Sequence, residues 1–262
     1  EIEATSKAWA ARVNSKAGGT VELLVLDDKS SADGARDAAR QAVAQGAALV
    51  MNCFGSVACM AIAQELKAPA VPLIGAIAGD DRLRGPDLPH VFTTRVGARD
   101  EVEVVIKYLQ GVRLSDLLVI YQDDGFGQSY KRALDEALKS RPDVRIAATL
   151  GLDPARKDYA AVAKQALAKP SLGVLLLANT PNSIGLIEAM KEAGYRGIYF
   201  NLAAQANPVF VERMGKLGAR IGPKLREAYE SLAVLVSPRN LALPTLVSPG
   251  EPRTLEGLFN PL

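Results

Sequence analysis

Short apolar runs recur along this chain between amphipathic stretches of helical length, and that alternation admits few folds. The runs are VELLVLDD (21–28), ALVMNCF (48–54), AVPLIG (70–75), VFTTRV (91–96), DLLVIYQ (116–122), VRIAATLG (144–151), GVLLLAN (173–179) and GIYFN (197–201). They are rich in Val, Ile and Leu and lack a polar residue at every second position, the pattern of strands buried on both faces. The intervening stretches, 2–16, 32–45, 56–67, 98–110, 127–139, 157–168, 182–193 and 207–217, read as helices. Strand and helix in regular alternation predict an α/β fold of parallel sheets flanked by helices. Local signals agree: Ser30 or Ser31 can cap the helix that runs to Gly46, Asn182 after Pro181 opens another, and Gly194 stops it.

The rhythm changes near residue 97. The run 91–96 has no helix of normal length before it, and Gly97 then opens a new helix. Two lobes, 1–96 and 97–217, account for this. Beyond about 218 the period is lost, and 218–262 reads as an irregular tail or a partial return segment, with prolines spread through its end.

Charge and length exclude several functions. Thirty-one basic residues against twenty-nine acidic ones give a net charge of +2. No basic stripe of the kind nucleic acid requires is present. No apolar run approaches the roughly 20 residues of a membrane-spanning helix, so the chain is not membrane-embedded. The opening EIEATSKAWAARVN has a helical pattern rather than that of a leader, so an exported protein would have its targeting segment outside this sequence. Cys53 and Cys59 are the only cysteines and His90 is the only histidine. Such a set makes a poor zinc site, and the cysteines read as small buried apolar residues.

Ligands of open parallel sheets bind beyond the carboxyl ends of the strands. Asp27 and Asp28 sit there, as do Asp123 and Asp124. A magnesium enzyme would use these acids. Adjacent side chains on a strand point to opposite faces, however, and the better role for such pairs is capping turns and helix starts. No GxGxxG, GxxxxGK[ST] or GxSxG occurs. No catalytic, metal or cofactor site is therefore expected. Gly55 and Ser56 open the helix 56–67, where free N–H groups and a hydroxyl make a seat for a carboxylate. Gly79 allows close backbone approach in the neighbouring loop. Phe126, between Gly125 and Gly127, either faces the cleft or packs into its own lobe.

Taken together and in order, VELLVLDD, FGSVACMAIAQELKAPAVPLIGAIAGDDRLR, VFTTRVGARDEV, VIYQDDGFGQSYKRALDEAL and LLLANTPNSIGLIEAMKEAGYRGIYFN resemble the branched-chain amino-acid binding family of periplasmic substrate-binding proteins. The resemblance covers about residues 1–217. It implies a type I periplasmic-binding-protein fold, a two-lobed clamp that closes on a small carboxylate or amino acid and docks on the permease of an ABC importer. It also implies periplasmic location. Matched position by position, the family's ligand contacts fall on Gly55 and Ser56, on Ala76, Ile77, Ala78 and Gly79, on Phe126, on Asn179 and on Ala203. Ala78 stands where a Thr is expected, Phe126 where a Tyr is expected, and Ala203 near the family's ammonium-pairing acid. An unpaired buried ammonium is costly, so the expected ligand is an organic or aromatic acid rather than an α-amino acid. The family's first strand and its long C-terminal return are not evident, so the chain reads as truncated at both ends. The same fold also serves as the sensing domain of regulators and receptors, a further expectation to weigh.

Overall fold

The computed structural model describes residues 2–16, 20–114, 116–169 and 171–221. Two parallel sheets divide the strands. The first has the order β1 (Val50–Met51), β2 (Leu73–Ala76), β3 (Val91–Thr93). The second has the order β5 (Arg145–Leu152), β4 (Asp116–Gln122), β6 (Gly173–Leu177), β7 (Ile198–Asn201). Helices α1 (Ile2–Asn14), α2 (Ala32–Ala44) and α3 (Ser56–Lys67) accompany the first sheet. Helices α4 (Ala98–Gly111), α5 (Gly125–Leu138), α6 (Tyr159–Leu167), α7 (Thr180–Glu192) and α8 (Pro208–Ile221) accompany the second. This is the α/β architecture that the alternation predicts.

The second sheet shows why its runs are apolar throughout. In β4, Leu118 and Ile120 pack with α6, α7 and α8, while Leu117 and Val119 pack with α4 and α5. All four are buried, as a strand covered on both faces requires. The first sheet is covered more on one face. Leu73 and Ala76 lie under α3 with Ile62 and Leu66. On the other face Met51, Ile74 and Phe92 stand in register, and Ile74 and Phe92 are exposed. Helix α2 docks by its small face, with Ala35, Ala39 and Ala42 buried at helical spacing.

Three expectations are corrected. Residues 21–28 form no strand. Among the described residues β1 pairs only with β2, so nothing offers this segment a ladder of hydrogen bonds. It is held at its ends instead. The Asn14 side chain accepts from Val21 N at 2.6 Å and donates to Val21 O at 2.9 Å. Asp27 and Asp28 accept from the amides of Lys29 and Ser30. The run 48–54 contracts to two residues, because Asn52 turns out of the strand with φ 60°. Cys53 and Cys59 are joined in a disulfide rather than being free buried thiols. The two residues bracket a strand-to-helix turn, which brings their Cα atoms to 5.4 Å. Of the expected tail 218–262, α8 accounts for the beginning and 222–262 lie outside the described residues.

The segment between β3 and α4 carries a buried polar junction. Arg95 donates to Glu101 Oε1 at 2.8 Å and to the Tyr130 hydroxyl at 3.1 Å. Glu101 Oε2 accepts from Ala203 N at 3.3 Å. Burial disfavours the Arg95 cation, but the oxygens of Tyr130 and Glu101 more than offset it and raise its pKa.

Candidate functional site

The carboxyl end of β1 runs straight into the candidate seat. Phe54 bridges to Ile77, with Gly55 N donating to Ile77 O at 3.1 Å and Ile77 N to Cys53 O at 3.0 Å. Gly55 then adopts φ 86°, a left-handed conformation that suits glycine, and α3 begins at Ser56. The first helical hydrogen bond is Cys59 N to Gly55 O at 3.0 Å. The amides of Ser56, Val57 and Ala58 precede it, at the turn where helix N–H groups lack partners of their own. No side chain caps this start. The Ser56 hydroxyl is buried and has no hydrogen-bond partner. A Cβ on Gly55 would meet nothing within 4 Å.

Helix starts in the second sheet are different. Asp124 Oδ1 caps α5, accepting from Phe126 N at 2.9 Å and Gly127 N at 3.1 Å. Asn179 Oδ1 caps α7, accepting from Asn182 N at 3.1 Å. Asp81 accepts from Arg99 N at the start of α4 at 2.9 Å. Asp123 accepts from the Gln128 amide at 2.7 Å. The paired acids thus shape turns and cap helices. Among the described residues no three His, Cys, Asp or Glu side chains gather to hold a metal.

The family-matched positions fall into two groups. Gly55, Ser56 and Ile77 come together around the α3 start. The others are engaged within the frame. Ala76 and Ala78 are buried, Ala78 O accepts from Arg84, and Gly79 O accepts from Ala98 N at 2.7 Å. Phe126 is half-buried on Tyr130, with ring centroids 5.0 Å apart. Asn179 is the α7 cap just described. Ala203 N donates to Glu101, so an acid does reach this position, supplied by α4 and already matched by Arg95.

Sequence reading passed over Phe54 as a site residue. It is 66% exposed beside the Gly55–Ser56 turn, with Val57 exposed one residue into the helix and Ile77 half-buried opposite. Its position before Gly-Ser at a strand end was the available signal. The two sheets meet here. A Cβ on Gly125 would lie 3.1 Å from Val57 Cγ2, and one on Gly79 would lie 2.2 Å from the Tyr130 hydroxyl. Burial, then the charge of Glu101, pushes the Tyr130 phenol far up, so it stays a neutral hydrogen-bonding group.

Two parallel sheets thus meet around an uncapped helix start, the place where open α/β folds bind ligands. The chain belongs to the periplasmic binding protein family, whose profile matches residues 1–222. That family is one of binding proteins, not enzymes. Solved structures agree in fold. An extracellular ligand-binding receptor from Verminephrobacter eiseniae is 24% identical, with a TM-score of 0.67, over 90% of this chain and 81% of that one. A substrate-binding periplasmic protein from Ralstonia solanacearum is 16% identical, with a TM-score of 0.69, over 89% and 71%. The leucine-binding protein LivK from Thermotoga maritima is 15% identical, with a TM-score of 0.69, over 79% and 60%. No curated protein matches the sequence. No described helix is long and apolar enough to cross a membrane.

Proposed function

We propose that this protein is the solute-binding component of an ABC importer, with lobes 1–96 and 97–217 closing on a small carboxylate. The observation that carries this reading is the α3 start. It has no side-chain cap, and Ser56 presents a buried hydroxyl without a partner beside it. Helix N–H groups and a hydroxyl suit an anion. The neighbouring α5 and α7 starts are filled by Asp124 and Asn179, so they offer an anion less.

The ligand class follows from what surrounds the seat. Phe54 and Val57 offer exposed apolar surface next to it. Ala203 carries no charge, and Glu101 is already paired with Arg95. At the position matched to the family's ammonium-pairing acid, an α-ammonium would meet only a carboxylate already paired with Arg95, whereas an organic or aromatic acid needs none. The Cys53–Cys59 disulfide supports an oxidising compartment, as the periplasm is.

The test is thermal unfolding with benzoate, 4-hydroxybenzoate, succinate, leucine or MgCl₂. A ligand at 100 times its Kd adds about 2.7 kcal/mol, which moves the midpoint by a few degrees. A shift with a carboxylate that is lost in Ser56→Ala supports the reading. A shift with leucine and none with the other acids would overturn the ligand class. No shift with any of them would overturn the carboxylate seat.

A further inference from the structure

Helix α3 differs from its neighbours in a second way. The helix starts at α2, α5, α6 and α7 are each fixed by a side chain, from Ser31, Asp124, Asp158 and Asn179. That of α3 is fixed covalently. Cys53 lies at the end of the β1 run, and Cys59 is the first residue whose amide makes a helical hydrogen bond. The disulfide therefore spans the uncapped turn from end to end. Phe54, Gly55, Ser56, Val57 and Ala58 all lie inside the loop it closes.

We infer that the Cys53–Cys59 disulfide stands in for the missing cap, holding the α3 start in place while leaving its amides free for a ligand. A side-chain cap fixes a helix start by occupying the N–H groups that an anion would need. A covalent tie outside the turn fixes the same residues and occupies none of them. The turn needs such a tie, because Gly55 has no Cβ to restrict its backbone and loses the most freedom when it is ordered. The disulfide is a permanent clip rather than a switch: Cys53 and Cys59 are buried in the core of the first sheet with Ala61, Ile62 and Leu83, out of reach of a dithiol in the folded protein. Preorganisation of this kind raises affinity by removing the ordering cost from binding. The inference rests on the carboxylate-seat reading for its purpose, but its structural half can be tested alone.

The experiment compares the oxidised protein with Cys53→Ala/Cys59→Ala and, as a second variant, Cys53→Ser/Cys59→Ser. Amide hydrogen exchange is followed at Met60, Ala61 and Ile62, with α5 as internal control. Binding of benzoate and 4-hydroxybenzoate is measured by calorimetry well below the unfolding midpoint. Expected are exchange at least tenfold faster in the first turns of α3, unchanged exchange in α5, and affinity weakened about tenfold. Unchanged exchange in α3 would overturn the inference. So would faster exchange with unaltered affinity, which would make the disulfide a stabiliser with no part in binding. If the oxidised protein binds neither acid and succinate and leucine also fail to shift its unfolding, the carboxylate reading falls, and the exchange result alone decides whether the disulfide holds the turn.

Discussion

Two side chains at helix starts show how the same chemistry serves opposite ends. Asp124 spends its carboxylate on Phe126 N and Gly127 N. Asp124→Ala should cost about 1 kcal/mol of stability in urea titration, the usual loss for a removed cap, while Asp124→Asn should keep most of it. Neither change should create or abolish a magnesium dependence. Ser56 has no partner to lose. A buried hydroxyl without a hydrogen bond is destabilising. Ser56→Ala should therefore leave the unliganded protein equally stable or slightly more so, while weakening a carboxylate by about 1.5–3 kcal/mol, the worth of a hydrogen bond to a charge. Thermal unfolding and calorimetry on one preparation read both. Loss of stability without loss of affinity would reverse the assignment.

At the level of elements, the first sheet is the weaker. Its strands are short, its β1 pairs on one side only among the described residues, and Ile74 and Phe92 are exposed on one face. The segment 21–28, which lies outside any ladder, should exchange its amides much faster than β4, which is paired on both sides by β5 and β6. Equal protection of the two would show that a strand partner for 21–28 exists in solution. Opening the Cys53–Cys59 loop should lower stability by about 2 kcal/mol on chain-entropy grounds, since the loop is short.

The whole molecule is joined through a polar centre. Arg95, Glu101 and Tyr130 meet between the sheets, and Gly79 lets the Tyr130 hydroxyl approach the first-sheet loop. Glu101→Ala leaves the mostly buried Arg95 charge with only the Tyr130 hydroxyl and should cost about 3 kcal/mol, the low end for a broken buried pair. Glu101→Gln should cost less, because Ala203 N keeps an acceptor. Tyrosine burial sets the alkaline limit. Burial raises the Tyr195 phenol to about 12 and raises Tyr130 and Tyr199 further. A group whose folded pKa is raised stabilises fully below its unfolded value, 10.0, and loses that contribution as pH rises through the folded one. Stability should fall steadily above about pH 10. Lys191, lowered by burial and by Arg196, opposes this in part. Tyrosinate absorbance from Tyr130, Tyr195 and Tyr199, read by difference from their Phe variants, should appear together with unfolding, and its appearance in the folded protein would contradict the burial.

The sequence alone determined the class of fold, because the period of apolar residues is a local property and survives without any tertiary information. It also marked the starts of α2 and α5, since Ser31 and Asp124 act on amides only two or three residues away, whereas α7 starts at Thr180 under an Asn179 cap rather than at Asn182. The start of α3 at Gly55–Ser56 was legible for the same reason. Three things were decided only by tertiary structure. Whether 21–28 is a strand depends on a neighbour, because a strand's hydrogen bonds lie in another segment. That Glu101 reaches Ala203, 102 residues away, rather than standing free, depends on how α4 packs. That Phe54 is exposed while Phe126 leans on Tyr130 depends on which side each turn faces, and two aromatics flanked by small residues look alike until the chain is folded.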